Sequence, residues 1–312
     1  MTKCWIVTEG MAGTENQCLG VAEALGIMPE IKRINLRQPW KTLSPWLTSE
    51  SAMTFTGDSL APPWPDLLLA SGRKAIAASR YIKKMSGGKT FTVQIQDPRV
   101  APSQFDLVAV PAHDPARGGN VIVTTAAPNR VQAERLEDAR HEFERQFSTL
   151  PQPRVAVLIG GNSKAHQMTR PIAEQLAKDL GKLAQKGFGL MVTASRRTGE
   201  ENAEILKKNI TGENVYFWTC AGANPYFGML AWADFVMVTA DSVSMLSEAA
   251  TTGKPVYMIP LAGGAPRLDA FHDNLLQKGI VRRFEGKLEP YDYIPLNDAG
   301  LVADEIKKRM YR

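Results

Sequence analysis

Little in this 312-residue chain points to stapling, metal or membrane. It has three cysteines, Cys4, Cys18 and Cys220, odd in number, far apart and without a C-x-x-C pair. That excludes a disulfide framework and a structural zinc site. His113, His141, His166 and His272 show no metal-ligand spacing, so the sequence calls for no metal. No apolar run approaches the roughly 18–20 residues of a membrane-spanning helix. Met1-Thr2-Lys3-Cys4-Trp5-Ile6-Val7 enters a strand-like run without a signal-peptide core, which predicts a cytoplasmic protein. Charge of one sign is also scarce. The net +5 divides into +2 over residues 1–150 and +3 over 151–312, so no basic tail argues for nucleic acid as a partner.

Familiar fingerprints are missing too. Gly87-Gly88-Lys89-Thr90 mimics the end of a P-loop, but Lys83 stands where its first glycine belongs and a strand-like run follows. No G-x-G-x-x-G follows the first strand, which counts against a nicotinamide enzyme. No D-x-D is present to hold a metal-bound sugar diphosphate. Asn209-Ile210-Thr211 is a glycosylation pattern with no secretory context.

What the chain does have is alternation. Short apolar runs at 4–8, 30–36, 66–70, 90–96, 107–110, 121–125, 155–159, 189–193, 215–218, 235–239 and 256–259 alternate with helical patterns. Runs such as Val155-Ala156-Val157-Leu158-Ile159 are apolar on both faces, as in a parallel sheet covered on each side by helices. The fold class is α/β: two Rossmann-like, doubly wound parallel-sheet domains facing a cleft. The break is expected at the stiff Leu150-Pro151-Gln152-Pro153, giving domains 1–150 and 151–312. A last helix over about 299–310, with Leu301, Ile306 and Met310 as packing residues, is free to return to the first domain. One segment breaks the rhythm: 38–65 carries Trp40, Trp46 and Trp64 among five prolines, next to Lys32, Arg33, Arg37 and Lys41. It reads either as an insertion tucked onto the first domain, which is favoured, or as a membrane-surface contact.

In open parallel sheets ligands sit beyond the C-terminal strand ends, where helix N-termini offer amides and dipole to phosphates. The second half supplies four such junctions. Gly160-Gly161-Asn162-Ser163-Lys164 follows the first strand. Ser195-Arg196-Arg197-Thr198 follows the second, with Thr198 and Glu201 in a capping-box pattern. Asn224-Pro225 opens a helix after the third, behind a small-residue loop that can lie under a nucleobase. Asp241-Ser242-Val243-Ser244-Met245-Leu246-Ser247-Glu248 follows the fourth, with Gly253 closing the helix and Ser244 and Glu248 on one face. Each alone is a common turn or a solvated face. In succession they read as a diphosphate cradle with a carboxylate placed for a ribose.

That last segment is similar to the donor-nucleotide segment of GT-B glycosyltransferases and of non-hydrolysing UDP-GlcNAc 2-epimerases. The chain as a whole resembles the mitochondrial fission (elongated-mitochondria) family, itself regarded as GT-B-like. Gly13-Thr14-Glu15-Asn16-Gln17, Gly160-Gly161-Asn162-Ser163, Ser195-Arg196-Arg197-Thr198 and Asn224-Pro225-Tyr226 carry that resemblance, and the compact length fits a bacterial member. It implies that Glu248 binds the ribose, that Asp241, Ser242, Ser244 and Met245 serve the diphosphate, and that Gly160 to Ser163 close over it. Ser195, Arg196, Arg197 and Asn224 line the same nucleotide site. The loop from 260 to Arg267 faces the sugar, with Asp269 and His272 following.

On the acceptor side stand Gly13, Asn16, Gln17 and Asp97. Thr14 and Gln17 form another capping-box pattern, and Glu15, in the first helical turn, is the candidate base, with Asp97 and His113 behind it. The expected function is that of a GT-B-type, metal-independent glycosyltransferase-like protein with a nucleoside-diphosphate sugar as donor and no cofactor. Its acceptor would be a lipid or envelope glycan at the membrane surface, reached from the cytoplasmic side. A non-catalytic adapter and a sugar-nucleotide epimerase stay open as alternatives.

Overall fold

The computed structural model describes residues 2–47 and 49–310. Its strands and helices run in the following order. The first stretch holds β1 (Cys4–Thr8), α1 (Ala12–Ala24), β2 (Glu30–Leu36), α2 (Trp40–Leu43), β3 (Phe55–Gly57), β4 (Leu67–Ser71), α3 (Ala75–Met85), β5 (Phe91–Ile95), β6 (Leu107–Pro111) and β7 (Val121–Thr124). Next come α4 (Ala133–Glu142), α5 (Glu144–Phe147), β8 (Arg154–Ile159), β9 (His166–Gln167), α6 (Arg170–Gln185), β10 (Gly189–Ala194) and α7 (Glu200–Asn209). The remainder is β11 (Val215–Trp218), α8 (Tyr226–Trp232), β12 (Phe235–Thr239), α9 (Val243–Thr251), β13 (Val256–Ile259), β14 (Ala262–Gly263), α10 (Pro266–Gln277), β15 (Val281–Arg283) and α11 (Asp298–Met310).

Two compact units form. One holds residues 1–130 and 297–312, the other residues 131–296. The expected break at 150/151 therefore lies within the second unit. The charged helix ahead of it packs there: the Trp232 indole donates to the Arg140 carbonyl at 2.8 Å, and α8 presents Gly228 to the Phe143 ring, where a Cβ would come within 2.6 Å. That helix is also split at Phe143 into α4 and α5.

The first unit is a sheet in the order β3-β2-β1-β4-β5-β6-β7, parallel except for β3. Alternate residues of β1 go to opposite faces. Cys4 and Ile6 pack with Cys18 and Val21 of α1 and with Val302 and Ile306 of α11. Trp5 and Val7 pack with Ala75, Ala78 and Ile82 of α3. This is why the run is apolar throughout. Of the packing residues expected on α11, Leu301 faces outward and Val302 takes its place. Trp64 meets Trp5 and Tyr81, each with ring centroids 6.1 Å away, whereas Trp46 is 60% exposed.

In the second unit the order β11-β10-β8-β12-β13-β15 is wholly parallel, the doubly wound nucleotide-binding order. Val155, Val157 and Ile159 of β8 pack on Leu176, Leu180 and Leu183 of α6. The strand order reverses between β8 and β12, so a crevice belongs at Gly160 and Ala240-Asp241.

The return of α11 to the first unit is fixed by Asp298, whose carboxylate accepts the Thr125 and Ala126 amides at 2.9 and 2.8 Å. Replacing Asp298 by Ala leaves both amides short of a charged acceptor. The expected cost is about 2–3 kcal/mol, read as a lower urea midpoint; an unshifted midpoint would refute this anchoring.

Candidate functional site

The polar groups at the second sheet's switch point hold one another. Thr239, the last residue of β12, accepts the Gly160 amide at 2.7 Å and donates its hydroxyl to Asp241 Oδ1 at 2.7 Å. Arg197 Nη2 lies 2.8 Å from Asp241 Oδ2, pairing a half-exposed guanidinium with a carboxylate fully out of solvent. The Gly160 carbonyl accepts the hydroxyls of Ser195, at 2.9 Å, and Thr198. Both glycines are required here. A Cβ on Gly160 would stand 2.3 Å from Asp241 Oδ1, and one on Gly161 (φ +141°) 2.3 Å from the Arg197 carbonyl.

The loop beyond is equally ordered. Asn162 donates its amide to the Arg197 carbonyl at 2.7 Å and accepts the Met168 amide at 2.9 Å. Ser163 folds back to accept the His166 amide at 2.9 Å. The short strand β9 pairs antiparallel with β14, bringing the 262–264 loop against 165–167. Under both loops lies His272, whose Nε2 donates to the Ala240 carbonyl at 2.9 Å. Burial lowers its pKa.

Ser242 caps α9 as its sequence predicts, accepting the Met245 amide at 3.3 Å. Ser244 and Met245 are half-buried in the first turn. One turn on, Glu248 is buried, and the Tyr226 hydroxyl donates to its Oε2. Burial pushes the Glu248 carboxyl up to about 7, against the pull of that hydrogen bond. Asn224 turns the chain into α8 by accepting the Tyr226 amide at 3.1 Å. Lys254, of the Gly253-Lys254-Pro255 turn, donates to the Leu230 and Ala231 carbonyls at the far end of α8. Ser195 and Arg196 lie with Ala194, Trp218, Thr219 and Cys220 along a cavity of about 420 Å³ at the ends of β10 and β11. Arg267 is exposed in the first turn of α10.

Two helix starts differ from the sequence reading. Thr198 does not cap α7; Gly199 stands there at φ +79°, because the threonine hydroxyl is taken by Gly160. The Thr14…Gln17 box does not form either. Helix α1 starts at Ala12, and Gln17 is buried, accepting Ser71 Oγ at 3.1 Å and Gln96 Nε2 at 3.0 Å.

Around them in the first unit, Gly13 is exposed, Asn16 is half-buried, and Asp97 accepts the Arg99 amide at 3.0 Å. Glu15, the expected base, is gripped by Arg33 through both oxygens, at 2.7 and 3.1 Å. With both oxygens engaged by that guanidinium, Glu15 does not present an open oxygen to an acceptor hydroxyl. Sequence reasoning missed Thr239 and Thr198 as ligating hydroxyls, and gave Tyr226 no role. A threonine ending a buried strand two residues before an aspartate was the available signal. Among the described residues no three His, Cys, Asp or Glu side chains gather as a metal site, and no helix is long and apolar enough to cross a membrane.

Comparison with known proteins adds relatives. The sequence model of the mitochondrial fission ELM1 family matches residues 12–310. The mitochondrial fission protein ELM1 of Arabidopsis thaliana is 26% identical, covering 98% of this chain and 90% of its own. A protein of Rickettsia prowazekii designated RP120 is 28% identical, over 78% of this chain and 79% of its own. Among solved structures, the UDP-GlcNAc 2-epimerase of Methanocaldococcus jannaschii with UDP-GlcNAc and UDP matches with a TM-score of 0.57 at 9% identity, covering both chains fully. The Staphylococcus aureus MnaA–UDP structure matches at 0.51 and 13%, covering 99% of this chain and 89% of the other. The spinosyn forosaminyltransferase SpnP matches at 0.51 and 11%, covering 99% and 90%. These likenesses establish a GT-B-type fold.

With its native pKa near 7 and a free value of 4.5, Glu248 keeps an extra proton in the folded state between those limits. Stability should therefore be highest at the acid end of this window. It should fall by on the order of 3 kcal/mol as pH rises from about 4.5 to about 7 and level off above that. Urea unfolding across pH measures this slope. Glu248→Gln should flatten it, and an unchanged slope in that variant contradicts the assignment.

Proposed function

We propose, for a chain that belongs to the mitochondrial fission ELM1 family, that the second unit binds a nucleoside-diphosphate sugar at the reversal between β8 and β12 and acts as a metal-independent, glycosyltransferase-like protein. The observation that carries this reading is the locked set of loops at those strand ends, beside the Ser242-capped start of α9 and the buried Glu248.

The diphosphate would lie on the Val243 and Ser244 amides at the start of α9 and on Gly161, with the Ser242 and Ser244 hydroxyls as further donors, while Gly160 and Met245, whose amides go to Thr239 and Ser242, would shape the cradle. Asp241 would act through its partners, holding Arg197 near the developing charge. Asn162 and Ser163 would shape the covering loop. The base would occupy the cavity flanked by Ser195 and Arg196, Asn224 would set the start of α8, and Glu248 would accept the ribose hydroxyls. The sugar would point toward the 262–267 loop and Arg267. Helix-end amides and Arg197 would stabilise the departing diphosphate without a metal. The epimerase and transferase folds that this chain matches are the company in which such a site is expected. Acceptor-side roles fall to Gly13, Asn16 and Asp97 of the first unit, Gln17 would hold the turn through Ser71 and Gln96, and Glu15 would serve as base only once Arg33 had been drawn away.

A surface-binding reading has its own observation. Trp46, Leu47 and Met53 are 60%, 65% and 83% exposed in the first unit, close in sequence to Arg37 and Lys41. Aromatic and aliphatic side chains beside cations suit an anionic membrane interface, where a lipid-borne acceptor would also reside. Trp46→Ser with Leu47→Ser should abolish co-sedimentation with phosphatidylserine-containing vesicles; equal sedimentation of variant and parent refutes this contact.

Isothermal titration with UDP, GDP and their sugars tests the nucleotide reading. Binding is expected for at least one, weakened by about 1–3 kcal/mol in Glu248→Ala. Silence toward all of them, in the parent protein and in a folded Tyr226→Phe variant that frees Glu248 of its tyrosine, removes the reading. An isomerised nucleotide sugar released without acceptor would identify an epimerase, and acceptor-dependent loss of sugar a transferase.

A further inference from the structure

The carboxylate to which the proposed function gives the ribose is already engaged. Tyr226 donates its hydroxyl to Glu248 Oε2, and no other hydrogen bond to this carboxylate is found among the described residues. The contact is built in from both sides. The Asn224 side chain accepts the Tyr226 amide and so sets the first turn of α8. At the other end of α8 the Leu230 and Ala231 carbonyls are held by Lys254, and Gly228 rests on Phe143. Glu248 sits in the middle of α9, whose start is fixed by the Ser242 cap. Neither partner reached this contact through a loose surface rotamer.

The chemistry of the pair has a direct counterpart in a nucleoside. A ribose diol offers O–H donors to a carboxylate, and a phenol offers one such donor. A buried carboxylate without any donor would pay the full desolvation cost, so a resident O–H keeps the empty site stable. We propose that the Tyr226 hydroxyl is an internal substitute for a ribose hydroxyl: it occupies Glu248 in the free protein, and a nucleotide must displace it to bind. Tyr226 thereby sets both the affinity for nucleotides and the weight given to an intact ribose. This inference rests on the nucleotide-binding reading of the second unit and adds to it a residue that competes with the ligand.

The test compares wild-type protein, Tyr226→Phe and Tyr226→Met by calorimetric titration above neutral pH. The ligands are UDP, GDP and ADP and the 2′,3′-dideoxy form of each. Removing the competing hydroxyl should tighten binding of a ribose-containing nucleotide by roughly tenfold and leave its dideoxy form unchanged. A wild type that is silent beside a Tyr226→Phe protein that binds would support the proposal equally. Three results overturn it: weaker binding in both variants, which makes Tyr226 a nucleotide contact; no change in either; or equal tightening for ribose and dideoxyribose forms, which makes the effect one of packing. Should no nucleotide bind wild type or either variant while circular dichroism shows all three folded, the nucleotide reading itself fails and takes this proposal with it. Met fills apolar volume without a hydroxyl, so misfolding of the Phe variant alone does not block the comparison.

Discussion

Asp241, two residues past the end of β12, has its carboxylate out of water, and the geometry of three loops depends on what neutralises it. The Thr239 hydroxyl and the Arg197 guanidinium are its partners. A buried carboxylate with neither would cost several kcal/mol, so the two are held as firmly as the acid is buried. Thr239 is thereby oriented to accept the Gly160 amide, and Arg197 brings its carbonyl to the Asn162 amide. The absence of a side chain at Gly160 follows from the same acid, whose oxygens fill the space a Cβ would need. Residues far apart in sequence share one electrostatic reason for their positions.

Much of this was legible in the sequence, and the boundary between what was and what was not is physical. The core strands could be read because parallel strands buried on two faces are apolar on both, as in residues 155–159 of β8, all buried. The Ser242 cap could be read because its partner is three residues away. The capping boxes at Thr14 and Thr198 failed because longer-range partners outbid the local ones. Gln17 went to Ser71 and Gln96, and Thr198 went to Gly160. No local pattern encodes those contacts. The domain break was misplaced for a similar reason. Two prolines mark a stiff stretch of chain, but the packing of α4 on α8 decides to which unit the preceding helix belongs.

The two units treat their switch points differently. In the first, the groups at the strand ends satisfy one another: Gln17 with Ser71 and Gln96, Glu15 with Arg33, Glu9 with Lys74. These contacts hold the β1–α1 and β4–α3 turns without calling for a ligand. In the second, the loops are held just as tightly, yet the capped start of α9 and the cavity at the ends of β10 and β11 stay available. A rigid frame around unspent donors is what a binding site requires, since groups already ordered lose little more on binding.

The contrast sharpens between the two glutamates that the sequence singled out. Glu15 has its charge matched by an exposed arginine, an arrangement worth little to stability and readily remade. Glu248 has no cation, only a phenol, and burial lifts its pKa to about 7. If it served the fold alone, a glutamine would make the same contact with Tyr226 without the cost of burying a charge. A carboxylate there lowers stability near neutral pH and presents a strong acceptor, which the tyrosine hydroxyl occupies. On the proposed reading, this one hydrogen bond between α8 and α9 is what a nucleotide would have to open.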